Sequence, residues 1–387
     1  MKRFFACLLI LCILTHANAC IVLEQVPAVN ATDEKEQATT QPQTNTPTAS
    51  VSIPWSDHET TAELFLTAPN TIVDCSKRTY TYLEMTEDLA ALQQQFPAHF
   101  SYRSFGRSVA GRELYVAILG NPNAEKQILV SAGIHGREYL TPLLVMKQIE
   151  YYLTYYDTGD HNGFTYASLF ESYCFYIVPM TNPDGIMISQ QGLSSLPNAV
   201  LIQNIMGICT GELNKVEEAD TREELLQIWK ANANGVDLNR NFDALISGNT
   251  VTAPSHKNYR GSAPESEPET RAMVELTESL PNIQAVLCIH SQGEVLYWDC
   301  GQDNQNQTLY NKTRAFTEML ALRNGYRVVY EQNNDASFSD WCALDQGLIA
   351  VTVETGYGTC PLEIDQLYTI WLDNFDLLTL SAIYFEN

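Results

Sequence analysis

Four short apolar runs decide what this chain can fold into: KQILVSAG (126–133), CFYIVPM (174–180), QAVLCIH (284–290) and LIAVTVE (348–354). Each has the length of a strand. Each is apolar almost throughout rather than on alternate positions, as a strand covered on both faces must be. The stretches between them have helical spacing. YLTPLLVMKQIEYYLTYY (139–156) carries Pro142 in its first turn, where a missing N–H is tolerated. SEPETRAMVELTESL (266–280) opens on serine, acid and proline and sets Ala272, Met273, Leu276 and Leu280 on one face. YTYLEMTEDLAALQQQF (80–96) spaces Leu83, Leu89, Leu92 and Phe96 as a helix does, ELYVAILG (113–120) adds a strand, and residues 363–385 read as mostly helical. Buried strands alternating with helices imply an α/β domain with helices on both faces of its sheet.

In such sheets ligands collect at the carboxyl ends of the strands. Three runs place ionisable residues there. SAGIHGREYLTP (131–142) brings His135 and Glu138 just past its strand, QAVLCIH ends on His290, and LIAVTVE ends on Glu354. A tight turn puts residues i and i+3 on one side, so His135 and Glu138 can share a ligand. Imidazole nitrogen and carboxylate oxygen both bind zinc at about 2.0–2.2 Å, and a third ligand, His290, completes a site that leaves room for water. A His-x-x-Glu pair alone is weak, because in a chain of this composition about one such pair in two chains arises by chance. Its placement and the later histidine give it meaning. Glu354 closes a nearly apolar run, where a carboxylate must be paired or employed, and it suits a general base that takes a proton from an activated water. In GVDLNRNF (235–242), read as following a short strand, Arg240 offers a planar fork for a carboxylate. The structural alternative is a salt bridge from Arg240 to Asp237 or Asp243. Ser291 and Gln292 after His290 read as a polar rim and make Ser291 a substrate-binding candidate.

The remainder of the chain frames this core. Residues 1–19 have a basic start at Lys2 and Arg3, an apolar stretch too short to span a bilayer with ease, and an Ala17-Asn18-Ala19 cleavage pattern. They read as a signal peptide, so the protein is expected to be secreted or held at the cell surface. Cleavage would expose Cys20, and a lipid anchor there is the alternative to simple secretion. Residues 20–70 are rich in Thr, Gln, Pro, Ala and Asn and read as a disordered tether. Residues 71–387 read as the catalytic domain, expected to be monomeric. With an arm of that composition, no globular inhibitory pro-domain is expected. With 46 acidic and 22 basic residues the chain has a formal charge of −24, which argues against nucleic acid and anionic membranes as partners. The scattered cysteines show no CxxC pair and read as small buried residues or as one or two unassigned bridges.

The segments GIHGREYLTP, TNPDG (181–185), GVDLNRNF, CIHSQG (288–293) and VTVETG (351–356) occur together in one order. In that order the chain resembles the funnelin-type zinc metallocarboxypeptidases over about residues 78–387, with FGRSVAGRELYV (105–116) and YRGSAPESEPE (259–269) extending the likeness. The resemblance implies a mixed, mainly eight-stranded sheet and one zinc ion held by His135, Glu138 and His290. It also implies Glu354 as base, Asn239 and Arg240 as the grip on the substrate's free C-terminal carboxylate, and Arg137 along the outer peptide subsites. Three departures qualify it. Where the family often has an arginine after tryptophan to support the oxyanion, this chain has Trp229-Lys230; Lys230 keeps the charge but loses the fork, and Arg222 competes for the role. No tyrosine sits where the family's substrate-capping tyrosine lies, Tyr330 being a poor match. Ser339, small and uncharged, precedes the Asp340-Trp341 pair that marks the specificity pocket.

The expectation is an exported zinc metallopeptidase acting on peptides with a free C-terminal carboxylate. Bacterial relatives that carry HGRE and VDLNRNF include enzymes acting on γ-D-glutamyl-diaminopimelate bonds, so a cell-wall peptide is the second substrate to consider. An N-acyl amino acid deacylase and an inactive peptide-binding protein are the rival classes.

Overall fold

The computed structural model describes residues 56–246, 250–299, 306–330 and 335–386; the expected leader and most of the expected tether lie outside them. The strands are β1 (Phe100–Arg107), β2 (Glu113–Gly120), β3 (Lys126–Ala132), the two-residue pair β4 (Asp160–His161) and β5 (Phe164–Thr165), β6 (Tyr173–Val178), β7 (Ile283–His290), β8 (Val295–Trp298), β9 (Arg327–Tyr330) and β10 (Ala350–Glu354). Eight of them form one sheet in the order β1-β2-β6-β3-β7-β10-β8-β9. β3 pairs in parallel with β6 and β7, and β7 with β10, while β1, β2 and β8 join antiparallel. This is the expected mixed α/β sheet. The three strands that carry ionisable ends are its adjacent centre, so those ends emerge side by side.

Burial on both faces explains why the central runs are apolar throughout. In β3, Ile128 and Val130 join a core with Leu143 and Ile149 of the Leu140–Thr154 helix, whereas Leu129 joins Met273 and Trp341 on the other face. The Leu140–Thr154 helix is buried on nearly every side, from Leu140 to Leu153. Its polar residues are therefore partnered inside: Lys147 Nζ lies 2.9 Å from Glu150 Oε2, and Gln148 donates to the Asn374 carbonyl at 2.6 Å.

Several expectations change on contact with the fold. The folded part begins before residue 71: Ser56–Leu66 is a helix, Ala62 and Phe65 are buried, and Trp371 Nε1 donates to the Ala62 carbonyl at 2.9 Å. The apolar side of that short helix finds a partner only in the tertiary structure. The helix read over 80–96 spans Tyr82–Gln95 and is capped by Thr81 and Glu84. It buries Met85, Leu89 and Leu92, which repeat at i, i+4 and i+7, while Leu83 points outward at 63% exposure. No strand precedes the Asn239–Arg240 pair; Leu238–Arg240 is a single 3-10 turn whose entry is held by Asp237 Oδ1 accepting from the Asn239 N–H. Cys75, Cys174, Cys209, Cys288, Cys342 and Cys360 are free thiols, all buried except the half-buried Cys75, and Cys300 lies outside the described residues.

Candidate active site and metal centre

The chain turns sharply after β3. The Glu138 N–H donates to the His135 carbonyl at 3.2 Å, which lays both side chains on one side of the turn. Gly136 sits between them where a Cβ would meet the Gly185 carbonyl and stand 2.7 Å from the Trp229 carbonyl, so a glycine is required there. Across the sheet, His290 ends β7. His135 Nδ1 lies 2.7 Å from Glu138 Oε1 and His290 Nδ1 lies 3.1 Å from Glu138 Oε2. One donor atom from each residue falls within 4.8 Å of the other two, and all three residues are buried. Burial opposes charge on Glu138, yet the His135 and His290 imidazoles outweigh it and hold the carboxyl well below the usual range. Two nitrogens and one carboxylate converging in a buried place are the donor set of a catalytic zinc.

A second layer fixes His135. Its Nε2 lies 3.3 Å from Asp237 Oδ1, and Asp237 is itself buried. Burial works against that carboxylate, and His135, Arg240 and Lys230 together keep it ionised. A carboxylate facing Nε2 leaves the Nδ1 lone pair directed at the metal position. From the sequence Asp237 is expected only as a partner for Arg240; its place in GVDLNRNF is the signal that could have found it. The donor set and this backing carboxylate fit one zinc ion.

Glu354 ends β10 and is the register partner of His290. Burial pushes its carboxyl up to about 7, with Glu138 adding to the rise and His290, Lys230 and Arg137 opposing it. A divalent cation nearby would oppose it further. Lys230 Nζ stands 3.9 Å from Glu138 Oε1, and both Lys230 and Glu354 line the same cavity as His135 and His290. Arg222 is elsewhere, exposed and paired with Glu223 at 2.7 Å.

A family model described as zinc carboxypeptidase matches residues 85–376. The chain belongs to the zinc carboxypeptidase family. It is 30% identical over 312 residues to gamma-D-glutamyl-L-diamino acid endopeptidase 1 of Lysinibacillus sphaericus, covering 80% of this chain and 73% of that protein. It is 27% identical over 249 residues to human mast cell carboxypeptidase A, covering 62% and 52%. Its fold is similar to that of bovine thrombin-activatable fibrinolysis inhibitor in complex with tick carboxypeptidase inhibitor, with a TM-score of 0.61 at 17% identity over 79% of this chain and 96% of that one. As a member of this family the chain is a zinc metallopeptidase.

Beyond the metal position of this zinc carboxypeptidase the cavity holds Asn239, Arg240, Ser337, Ser339 and Thr352, with Asp299, Asp335 and Asp340 also on its wall. Arg240 pairs neither with Asp237 nor with Asp243: its Nη2 lies 2.9 Å from Asp335 Oδ2, and its Nη1 donates to the Asn239 carbonyl at 2.8 Å. Its Nε has no partner among the described residues. Asn239 is turned by accepting the Phe338 N–H on Oδ1 at 3.1 Å. Ser339 joins a chain of hydroxyls, 3.0 Å from Ser337 Oγ and 3.0 Å from Thr352 Oγ1. Thr352 could have been found from the sequence, because period two in a strand puts it on the face of Glu354.

Two candidates do not reach the cavity wall. Ser291 is buried, not at a rim: its N–H donates to Glu138 Oε2 at 3.3 Å and its hydroxyl faces Cys360 Sγ at 3.5 Å, so it helps to hold the Glu138 carboxylate. Arg137 is absent from the lining, although its charge is felt at Glu354. Tyr330 closes β9 and packs its ring 4.7 Å from Trp298 and 5.8 Å from Tyr310, as a core residue does.

Proposed function

We propose that the protein is an exported exopeptidase that hydrolyses the amide bond preceding a residue with a free α-carboxylate. One observation carries this reading: a single cavity holds the metal-binding histidines, Glu354 as a base, and the Asn239–Arg240 pair. His135, Glu138 and His290 would hold the zinc, which would supply Lewis acidity toward a carbonyl and toward water. The remaining roles fall to the chain's own side chains. Arg240 and Asn239 bind the terminal carboxylate and so fix which bond lies over the reacting groups. Glu354 accepts the proton of the attacking water and returns it to the leaving amine. Lys230 offsets negative charge gathering on the carbonyl oxygen.

The wall beyond Arg240 supports a narrower choice of substrate. Carboxylates of Asp299, Asp335 and Asp340 and a row of hydroxyls suit a terminal residue whose side chain carries an amino group. A γ-D-glutamyl peptide ending in a diamino acid has that chemistry, and the Lysinibacillus relative, an endopeptidase by name, is named for a γ-D-glutamyl-L-diamino acid. The test is turnover by zinc-loaded protein on peptides ending in a diamino acid, lysine, leucine, phenylalanine or glutamate, each as free acid and as C-terminal amide. Diamino and lysine termini should be preferred and amides should resist. Equal cleavage of acids and amides would overturn the exopeptidase reading, and equal rates on all free acids would leave a general carboxypeptidase. Preference for small N-acylated amino acids would indicate a deacylase. Glu354→Gln should keep its zinc and lose roughly 10³-fold or more in kcat; a near-normal rate would remove Glu354 as base. Export rests on the pattern of residues 1–19, and N-terminal mass analysis of the processed protein would reveal both cleavage and any lipid on Cys20.

A further inference from the structure

The cation beside the metal position sits on a backbone held from both sides. The Lys230 carbonyl accepts from the Gly136 N–H at 3.1 Å and from Asn182 Nδ2 at 3.2 Å, which ties it to the turn that carries His135 and Glu138. The Lys230 N–H donates to the His256 carbonyl at 2.9 Å, and the Ala231 N–H donates to the same oxygen at 3.0 Å. His256 is only 2% exposed and is held by one carboxylate. Glu212 Oε2 accepts its N–H at 3.0 Å and faces its Nδ1 at 2.7 Å, while Glu212 Oε1 accepts the Ser255 hydroxyl. Glu212 ends the Ala199–Glu212 helix. A chain of contacts thus runs from that helix through Glu212 and His256 to the main chain of Lys230.

We propose that Glu212, acting through His256, is a positioning residue for Lys230, setting where its ammonium meets the reacting carbonyl. The inference rests on the role given above to Lys230. The neighbouring segment has other anchors that leave the fold in place when this one is cut. Trp229 is fully buried with its Nε1 donating to the Asn232 carbonyl at 3.3 Å, and Asn232 Nδ2 donates to Glu267 Oε2 at 2.8 Å. What Glu212 adds is a rigid reference for one carbonyl. Glu212→Gln halves the acceptor capacity of that group and sets an amide nitrogen against one of its donors, which frees the His256 carbonyl to shift. Misplacement of a catalytic group by about 1 Å costs up to about a hundredfold in rate.

The experiment is a double-mutant cycle on the zinc-loaded full chain with Glu212→Gln, Lys230→Met and the pair. kcat, KM, zinc content, melting temperature and affinity for a phosphonamidate peptide, a tetrahedral mimic of the transition state, are measured for each. Glu212→Gln should lower kcat about tenfold and weaken the phosphonamidate by a like factor, with KM and zinc content unchanged. Lys230→Met should lower kcat further, and the double variant should match it, because Glu212 has nothing left to position. His256→Asn, whose carboxamide can donate to Glu212 much as Nδ1 does, should keep most of the wild-type rate. Should Glu212→Gln not fold, His256→Ala carries the same cycle. Losses that multiply in the double variant would overturn the positioning role while leaving Lys230 in place. A wild-type kcat for Lys230→Met would overturn the role of Lys230 and this inference with it.

Discussion

Residues earn their chemistry here from what faces them. Glu138, buried, and Glu354, half-buried, lie at the same edge of the sheet, yet they are driven in opposite directions. Two imidazoles hold Glu138 ionised, whereas Glu354 is pushed up toward about 7 by burial. The first state suits a metal ligand, and the second suits the proton acceptor proposed above. Glu269 shows the same rule with a consequence for stability. Burial, with Asp184 adding to it, pushes its carboxyl up to about 8, against hydrogen bonds from the Val109 N–H and Asn232. The folded state therefore binds this proton more tightly than the unfolded state does. Its stabilising contribution is complete below the ordinary glutamate pKa of about 4.5 and is lost as pH rises through about 8. Glu269→Gln, which mimics the protonated group, should flatten the fall in melting temperature between pH 5 and about 8. Scanning calorimetry across that range, wild type against variant, measures it, and identical slopes would show that Glu269 does not titrate there.

At the scale of elements, the Leu140–Thr154 helix connects the metal position to the amino-terminal part of the fold. It starts two residues after Glu138, and near its far end Glu150 accepts the Ile72 and Val73 N–H groups, the latter at 3.2 Å, while Lys147 donates to the Val73 carbonyl at 3.3 Å. Glu150→Ala would leave Lys147, 1% exposed, without its counter-charge, keeping only its bond to the Val73 carbonyl and its place over the Phe65 ring. A loss of about 3–5 kcal/mol in urea unfolding is expected, whereas Lys147→Met with Glu150→Leu should recover part of it. The Ser56–Leu66 helix depends on the same neighbourhood, with the Phe65 ring 5.3 Å from that of Tyr151. A chain starting at residue 71 should therefore melt several degrees below one starting at residue 56, because it exposes the surface that Ala62 and Phe65 cover. Equal melting temperatures would return residues 56–70 to the role of a tether.

The molecule as a whole is a sheet whose central edge gathers one metal site. If zinc binds the folded arrangement of His135, Glu138 and His290 and not the open chain, the unfolding free energy should rise by about 1.4 kcal/mol for each tenfold increase in free zinc above Kd, and the melting temperature with it. Chelation should remove activity and lower the melting temperature, and readdition should restore both; a melting temperature indifferent to zinc would contradict the site. The convergence of His135, Glu138, His290 and Glu354 was legible in the sequence because buried strands demand apolar runs, and polar residues at the ends of such runs stand out. The alternation of strands and helices fixed the α/β class for the same reason. The pairing of Asp237 with His135, the turn of Arg240 toward Asp335, the inward seat of Ser291, the outward face of Leu83 and the docking of the Ser56–Leu66 helix were decided only by the tertiary structure. Each depends on which distant side chain or surface arrives at a given point. Periodicity along a chain records that a residue is buried or exposed, but the identity of its neighbour across tens or hundreds of residues is set by packing.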